Sequence, residues 1–204
     1  MFNDVFLNKK ILITGHTGFK GSWLSNWLYL AGAQVFGVSL PPGTNLSHFD
    51  ELKLKNKVNN HFIDIRNFEK LNKVINDISP DFIFHLAAQA LVVKSYQKSL
   101  ETYQTNFMGT LNLLESIKKI KNKCTVILIT SDKCYENKEW IWGYKETDDL
   151  GGIDPYSASK GASEIMIRSQ ILSFFPKIGN IKIGICRAGN VIGGGDWSPH
   201  RLVP

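Results

Sequence analysis

The apolar residues of this chain alternate between two rhythms. Short continuous runs at 11–13, 34–39, 58–63, 82–86, 125–130 and 181–187 predict six buried strands. Between them, apolar residues recur every three or four positions: Trp23, Leu24, Trp27, Leu28 and Ala31, then Phe68, Leu71, Val74, Ile75 and Ile78, then Phe107, Leu111, Leu114 and Ile117. That spacing predicts helices over about 20–31, 68–78, 95–119 and 155–175. Asn67 and Asp154 suit N-cap positions, Pro155 suits the first helical position, and Gly32 and Pro80-Asp81 mark stops. Pro41-Pro42-Gly43 breaks the chain after the second strand, and a short polar segment leads to the third. Residues 135–152 are polar and aromatic without a period, which predicts a loop over a site. Strands alternating with helices imply right-handed βαβ units, so the expected fold is α/β, a doubly wound parallel sheet.

The first strand runs into Thr14-Gly15, with further glycines at Gly18 and Gly21, just where a helix begins. Gly15 allows a tight turn, Gly18 lets backbone N–H groups approach an anion, and Gly21 lets the helix sit close to the strand. The unpaired N–H groups and the positive end of the helix dipole then face a pyrophosphate. The spacing G-x-x-G-x-x-G differs from the simplest dinucleotide fingerprint, G-x-G-x-x-G, and a ligand-free glycine turn is the plain alternative. An acidic residue about twenty positions on would grip the ribose 2′-hydroxyl of NAD. Here the second strand ends Val38-Ser39-Leu40, with neither a carboxylate nor an arginine for a 2′-phosphate, although Lys20 lies in the glycine loop. This strand leaves NAD and NADP open.

Tyr156 and Lys160 stand four apart at the start of the last helix and share a face. A lysine ammonium beside a phenol favours the phenolate, which turns a weak acid into a usable base. Ser131-Asp132-Lys133 follows the fifth strand directly.

Composition narrows the class. With 204 residues and 43% apolar content, the chain can bury one domain core and a fragment of a second. Cys124, Cys134 and Cys186 are odd in number and far apart, which argues against a disulfide framework and for a reducing, cytoplasmic setting. Cys134 adjoins the candidate chemistry but reads as a packed thiol. No segment approaches the roughly 18 apolar residues of a membrane span. The net charge of +6 comes from scattered lysines, without the concentrated basic stripe that nucleic acid requires. Five histidines without ligand spacing give no metal site.

Taken together, these stretches resemble the extended short-chain dehydrogenase/reductase family of nucleotide-sugar enzymes. TGHTGFKG resembles its cofactor loop, HLAAQ its fourth-strand motif, Thr105-Asn106 with Gly109-Thr110 its N-x-x-G-T helix, and YSASK its Tyr–Lys pair. SDKCYENKEWIWGYKE and RAGNVIGGGDW are similar to the branch of dehydratases that acts on CDP-glucose. The resemblance implies a Rossmann-type NAD-binding domain over 1–190, with 191–204 the beginning of a truncated substrate-binding region. It implies NAD held by Gly15, Thr17, Gly18, Phe19, Lys20, Asp64, Ile65, Leu86, Ala87, Ala88, Gln89, Asn106, Thr130, Tyr156 and Lys160. Asp64 reads equally as a plain strand-end cap. The implied catalytic residues are Ser131, Asp132, Lys133, Tyr156 and Lys160, and Lys94, Ser131, Asn190 and Arg201 would touch CDP-glucose. In that scheme Tyr156 takes the proton of the sugar 4-hydroxyl, and Asp132 protonates the departing 6-oxygen in an early step toward deoxysugars. Lys133 stands where the dTDP-glucose relatives carry glutamate. It is the C5 base, or a cation that stabilises the enolate, or a loop partner of Asp132. The helices from Ser95 and Tyr156 resemble the family's dimerisation helices, which implies a homodimer. The rivals are another sugar-nucleotide epimerase or reductase, and a non-catalytic NAD-binding fragment.

Overall fold

A computed structural model describes residues 4–43 and 46–199. Its strands are β1 (Lys10–Thr14), β2 (Gln34–Ser39), β3 (Asn59–Phe62), β4 (Phe82–His85), β5 (Cys124–Ile129) and β6 (Ile181–Cys186). All pair in parallel in the order β3-β2-β1-β4-β5-β6. The expected doubly wound sheet is therefore present, and the strand order reverses between β1 and β4, where open α/β sheets bind ligands.

Because side chains alternate across a strand, β1 feeds both layers. Leu12 joins a core with Leu71, Ile75, Leu113, Leu114 and Ile117 on one face, while Ile11 and Ile13 join Leu28, Val35, Phe49 and Leu54 on the other. The helices supplying these layers are α1 (Phe19–Leu30), α2 (His48–Glu51), α3 (Phe68–Ile78), α4 (Val92–Gln97), α5 (Ser99–Tyr103), α6 (Gly109–Ile117) and α7 (Pro155–Ile178). Two N-caps are as expected: Asn67 accepts from the Lys70 N–H at 3.0 Å, and Asp154 from the Ser157 N–H at 3.0 Å, with Pro155 opening α7. Among the described residues, no helix is long and apolar enough to cross a membrane.

Three local expectations need correction. The predicted helix over 95–119 starts earlier, at Val92, breaks at Lys98 (φ −133°, ψ 53°), and carries a π-turn over Gln104–Met108 before α6. The wider π-turn lets Asn106 reach inward, where its amide accepts from the Gln89 N–H at 2.8 Å and donates to the Gln89 carbonyl at 3.1 Å. The polar segment after β2 folds into α2 and a short 3-10 turn, Leu54–Asn56, because Ser47 caps it and Phe49 and Leu54 are buried. In α1 the stripe of Trp23 and Trp27 faces outward, and the buried face is Gly21, Ser22, Ser25 and Leu28. Only small residues fit there: a Cβ on Gly21 would lie 2.0 Å from the Gly15 carbonyl oxygen.

Two glycines make a contrasting pair. At Gly21 the obstacle is backbone, which cannot yield; at Gly109 it is the end of the Ile65 side chain, 2.5 Å from an added Cβ. Gly21→Ala is expected to cost about 1–3 kcal/mol or more, as overpacking does. Gly109→Ala is expected to stay within about 1 kcal/mol of the parent, helped by the higher helix propensity of alanine. Urea unfolding midpoints check both, and equal losses would show that backbone crowding at Gly21 is not the constraint.

Candidate active site

Gly15 turns the chain out of β1 at φ +75°, and an added Cβ would sit 2.8 Å from the Ala87 nitrogen beyond β4. Its N–H donates to the Val38 carbonyl at 2.8 Å, so the turn is pinned between the two neighbouring strands. Gly18 follows as the N-cap of α1 without a side-chain cap, and the first turn of α1 carries no acidic residue. An added Cβ on Gly18 would make only ordinary contact, 3.4 Å from the Gly15 carbonyl oxygen. The protein itself does not crowd that position. A cleft of about 380 Å³ opens in front of this turn. Gly15, Thr17, Gly18, Phe19 and Lys20 form one wall, Asp64 and Ile65 another, and Leu86, Ala87, Ala88 and Gln89 a third. Lys94 lines it too, paired with Glu101 at 2.9 Å.

At the end of β2, hydroxyls replace the expected carboxylate. Thr17 Oγ1 and Ser39 Oγ both donate to the Leu40 carbonyl, at 2.9 and 2.8 Å, and Ser39 meets His16 Nδ1 at 3.1 Å. Burial pushes the His16 imidazole down to about 4, so this corner is uncharged near neutrality. The nearest lining carboxylate, Asp64, is gripped by Arg66 at 2.6–3.0 Å, which holds it below the usual carboxylate range. Arg66 thus enters the cleft as a partner of Asp64 that sequence reading missed.

Behind the third wall runs a buried chain of hydrogen bonds. Thr110 Oγ1 donates its single proton to the Asn106 carbonyl at 2.7 Å, so it accepts from His85 Nε2 at 3.0 Å. His85 Nδ1 then accepts from Thr14 Oγ1 at 2.7 Å, which in turn accepts from the Ala87 N–H at 3.2 Å. Burial, followed by the charge of Lys160, pushes His85 down to about 3 and keeps it neutral. Each bond contributes about 1 kcal/mol, and each end left unmade would cost more. Asn106 therefore stands behind the cleft, orienting Gln89, and does not line it.

Lys160 lies beside this network. It is 6% exposed, no hydrogen bond ties its ammonium among the described residues, and it lies 5.9 Å from the Tyr156 ring centroid. Burial, then repulsion from Lys20 in the glycine loop, pushes its amine down to about 8. Unlike Gln170 Oε1, its Nζ is not sealed from solvent, so ribose hydroxyls would take the place of water there. The lining of the cleft thus fits a dinucleotide: helix N–H groups and Lys20 for phosphates and apolar Leu40, Ile63 and Ile65 for a base, with Lys160 just behind the lining.

The third group of predicted residues sits elsewhere. Ser131 caps a 3-10 turn, Asp132–Cys134; its hydroxyl accepts from the Lys133 N–H at 3.2 Å and donates to Asp132 Oδ1 at 3.0 Å. Asp132 and Lys133 line a second, wider hollow of about 1480 Å³ under the 135–152 loop, not the cofactor cleft. The loop covers this hollow rather than the glycine turn. Tyr156, Lys160, Thr130 and Ser131 line neither space and are buried. Among the described residues Lys133 is exposed and forms no ion pair, so the proposed partnership with Asp132 is absent. Asn190 is exposed and lines neither hollow, and Arg201 lies outside the described residues. Burial, then the Glu164 charge, pushes the Cys134 thiol up to about 12, as befits a packed group. Sequence reading missed Glu164, which pairs with Arg187 and Thr130; its position four residues beyond Lys160 was the available signal.

A family model described as GDP-mannose 4,6 dehydratase matches residues 12–173. The chain is 50% identical over 200 residues to CDP-glucose 4,6-dehydratase of Salmonella typhimurium strain LT2, covering 96% of this chain and 56% of that protein. Among solved structures, it superposes on UDP-N-acetylglucosamine 4-epimerase from Methanobrevibacter ruminantium M1 with a TM-score of 0.80, at 26% identity, over 97% of this chain and 60% of that one. It superposes on the UDP-glucose 4-epimerase of Thermus thermophilus, solved in complex with NAD, with a TM-score of 0.77, at 26% identity, over 95% and 58%. The chain spans about half the length of the curated relatives it matches. On the strength of the match over 12–173, the chain belongs to the GDP-mannose 4,6 dehydratase family of extended short-chain dehydrogenases/reductases.

Proposed function

We propose that the protein to which this chain belongs is an NAD-dependent 4,6-dehydratase that converts CDP-glucose to CDP-4-dehydro-6-deoxyglucose and water. The observation that carries the cofactor half is the largely buried Lys160, whose ammonium has no hydrogen-bond acceptor among the described residues and which lies beside Tyr156 and within the repulsion of Lys20 in the glycine turn. The substrate half is supported by the identity with the Salmonella CDP-glucose enzyme. Bound NAD supplies a hydride acceptor at the sugar C4 that later returns the hydride to C6. Tyr156, its phenolate favoured by Lys160, takes the 4-hydroxyl proton, and Ser131 hydrogen-bonds the 4-oxygen. The resulting ketone acidifies the C5 proton. Asp132 gives a proton to the 6-oxygen, which leaves as water. Lys133 faces C5, either removing its proton or stabilising the enolate. The family's 4-epimerases share the cofactor half, but Asp132 favours dehydration, since epimerisation needs no acid at C6. Exposed Tyr96, Leu100 and Met108 on α4–α6 and Ile165 and Leu172 on α7 support a homodimer through these helices.

Offering CDP-glucose, dTDP-glucose, GDP-mannose and UDP-glucose to the full-length protein and following 4-keto product tests this reading. Product from CDP-glucose alone is the expected outcome, and product from none would favour a protein that only binds NAD. Tyr156→Phe is expected to lower kcat about 10²–10⁴-fold, the usual worth of a general base. Lys133→Met separates its two roles: C5 hydrogen exchange with solvent at an unchanged rate would exclude lysine as the base.

Lys160 also has a signature in the cofactor-free protein. Its amine sits at about 8 in the fold against an ordinary value of 10.5. Between those pH values the unfolded chain holds a proton that the folded chain has released, so stability rises with pH across that window. Lys160→Met is expected to flatten this rise, measured as urea midpoints from pH 7.5 to 10; an unchanged slope would show that the ammonium is not strained.

A further inference from the structure

Glu164 is 3% exposed, yet its carboxylate is the meeting point of several segments. Thr130 Oγ1, just after β5, donates to Oε1 at 2.6 Å, and the Cys134 thiol donates to the same carboxylate. Arg187, just after β6, closes on both oxygens, with Nε at 2.8 and 2.9 Å and Nη2 on Oε2. The guanidinium lies over the Tyr135 ring, 4.5 Å from its centroid. The turn that carries Ser131, Asp132 and Lys133 is thus held before its first residue and after its last. Its middle is tied as well, because the Asp132 N–H donates to the Ala188 carbonyl at 3.0 Å. On α7, Tyr156, Lys160 and Glu164 follow at four-residue steps and share one face.

Burial pushes the Glu164 carboxyl up, but the hydrogen bonds from Arg187, Thr130 and Cys134 outweigh it and hold the group below its usual range. A buried ion pair is a poor way to gain stability, since apolar residues of similar volume commonly do as well or better. What this pair supplies is direction: two fixed oxygens shared by a planar guanidinium, a hydroxyl and a thiol leave the turn little freedom.

We propose that Glu164 is a positioning residue that, with Arg187, sets the Ser131–Lys133 turn against the Tyr156–Lys160 face of α7, so that elimination of water depends on it more than oxidation at C4 does. The inference rests on the dehydratase reading above. Asp132 and Lys133, assigned to elimination, ride on the turn, as does Ser131, which hydrogen-bonds the 4-oxygen; Tyr156 and Lys160, which take the 4-hydroxyl proton, ride on α7 itself. Loosening the turn removes one hydrogen bond from oxidation but displaces both groups of elimination, so elimination slows more. No new group enters the chemistry: the C5 proton, the 6-hydroxyl and the hydride held by NAD are those of the parent reaction.

The test uses the full-length protein. In Glu164→Gln, product formation is expected to fall about 100-fold, as a misplacement of about 1 Å can produce. Reduced nicotinamide, followed at 340 nm, accumulates during turnover because oxidation outruns elimination. In the cofactor-free protein, the backbone amides of 131–135 exchange about tenfold faster while those of β1 and α1 do not change. NAD affinity by calorimetry stays within about threefold, well under the 1.4 kcal/mol that a tenfold change represents. Arg187→Lys, which keeps the buried charges balanced, shows the same pattern more weakly and decides the matter if Glu164→Gln does not fold. A lower rate without reduced nicotinamide, or an unchanged rate, overturns the inference while leaving the dehydratase reading intact. A parent protein that makes no 4-keto product from any sugar nucleotide overturns both.

Discussion

The close approach of the β1–α1 turn to the end of β4 governs the rest of the structure. The Gly15 carbonyl oxygen occupies the space a Gly21 side chain would need, and the Ala87 backbone occupies the space of a Gly15 side chain. Packing this dense leaves room only for small residues on the inner face of α1, so Ser22 and Ser25 are buried while Trp23 and Trp27 turn outward. The displaced Trp23 finds another use: its Nε1 donates to the Gly194 carbonyl at 2.9 Å and its ring lies over His48, docking the 193–195 glycines on the outside of α1. Because the strand order reverses at this same place, the crowding opens a cleft in front of the helix N-terminus instead of filling it.

Rigidity behind the cleft comes from polar contacts made in a dry interior, where a hydrogen bond is strong and an unmade one costly. Thr14, His85, Thr110 and Asn106 link the ends of β1 and β4 to the π-turn and α6, and Asn106 also donates to Ser159 on α7 at 2.8 Å. One helix face therefore carries two opposite electrostatic solutions. Glu164 is fully compensated by Arg187, Thr130 and Cys134, whereas Lys160, one turn earlier, has no acceptor among the described residues.

The two hollows divide the chemistry between them. The glycine turn, Lys20 and Lys94 face one, while Asp132 and Lys133 face the other, and Tyr156 and Ser131 are buried and line neither.

The hydrophobic rhythm alone determined the six strands, their alternation with helices and hence the parallel sheet, because short continuous apolar runs and a 3.6-residue period are local properties of the chain. The glycine at 21 was equally legible, since its steric limit is the Gly15 and His16 backbone a few residues before it, whereas the obstacle to a side chain at Gly15 is Ala87, 72 residues on. The π-turn at Asn106 and the outward stripe of α1 were not: the π-turn follows the contact of Asn106 with Gln89, and the stripe turns outward because the Gly15 backbone crowds the inner face of α1, after which Trp23 meets Gly194. Lys160 was found by spacing, but its charge state could come only from burial and from Lys20, 140 residues away in sequence. The separation of Asp132 and Lys133 from the cofactor cleft was likewise a tertiary decision, because the path of a turn depends on the Glu164–Arg187 pair that clamps it, and pairing across strands leaves no local signature.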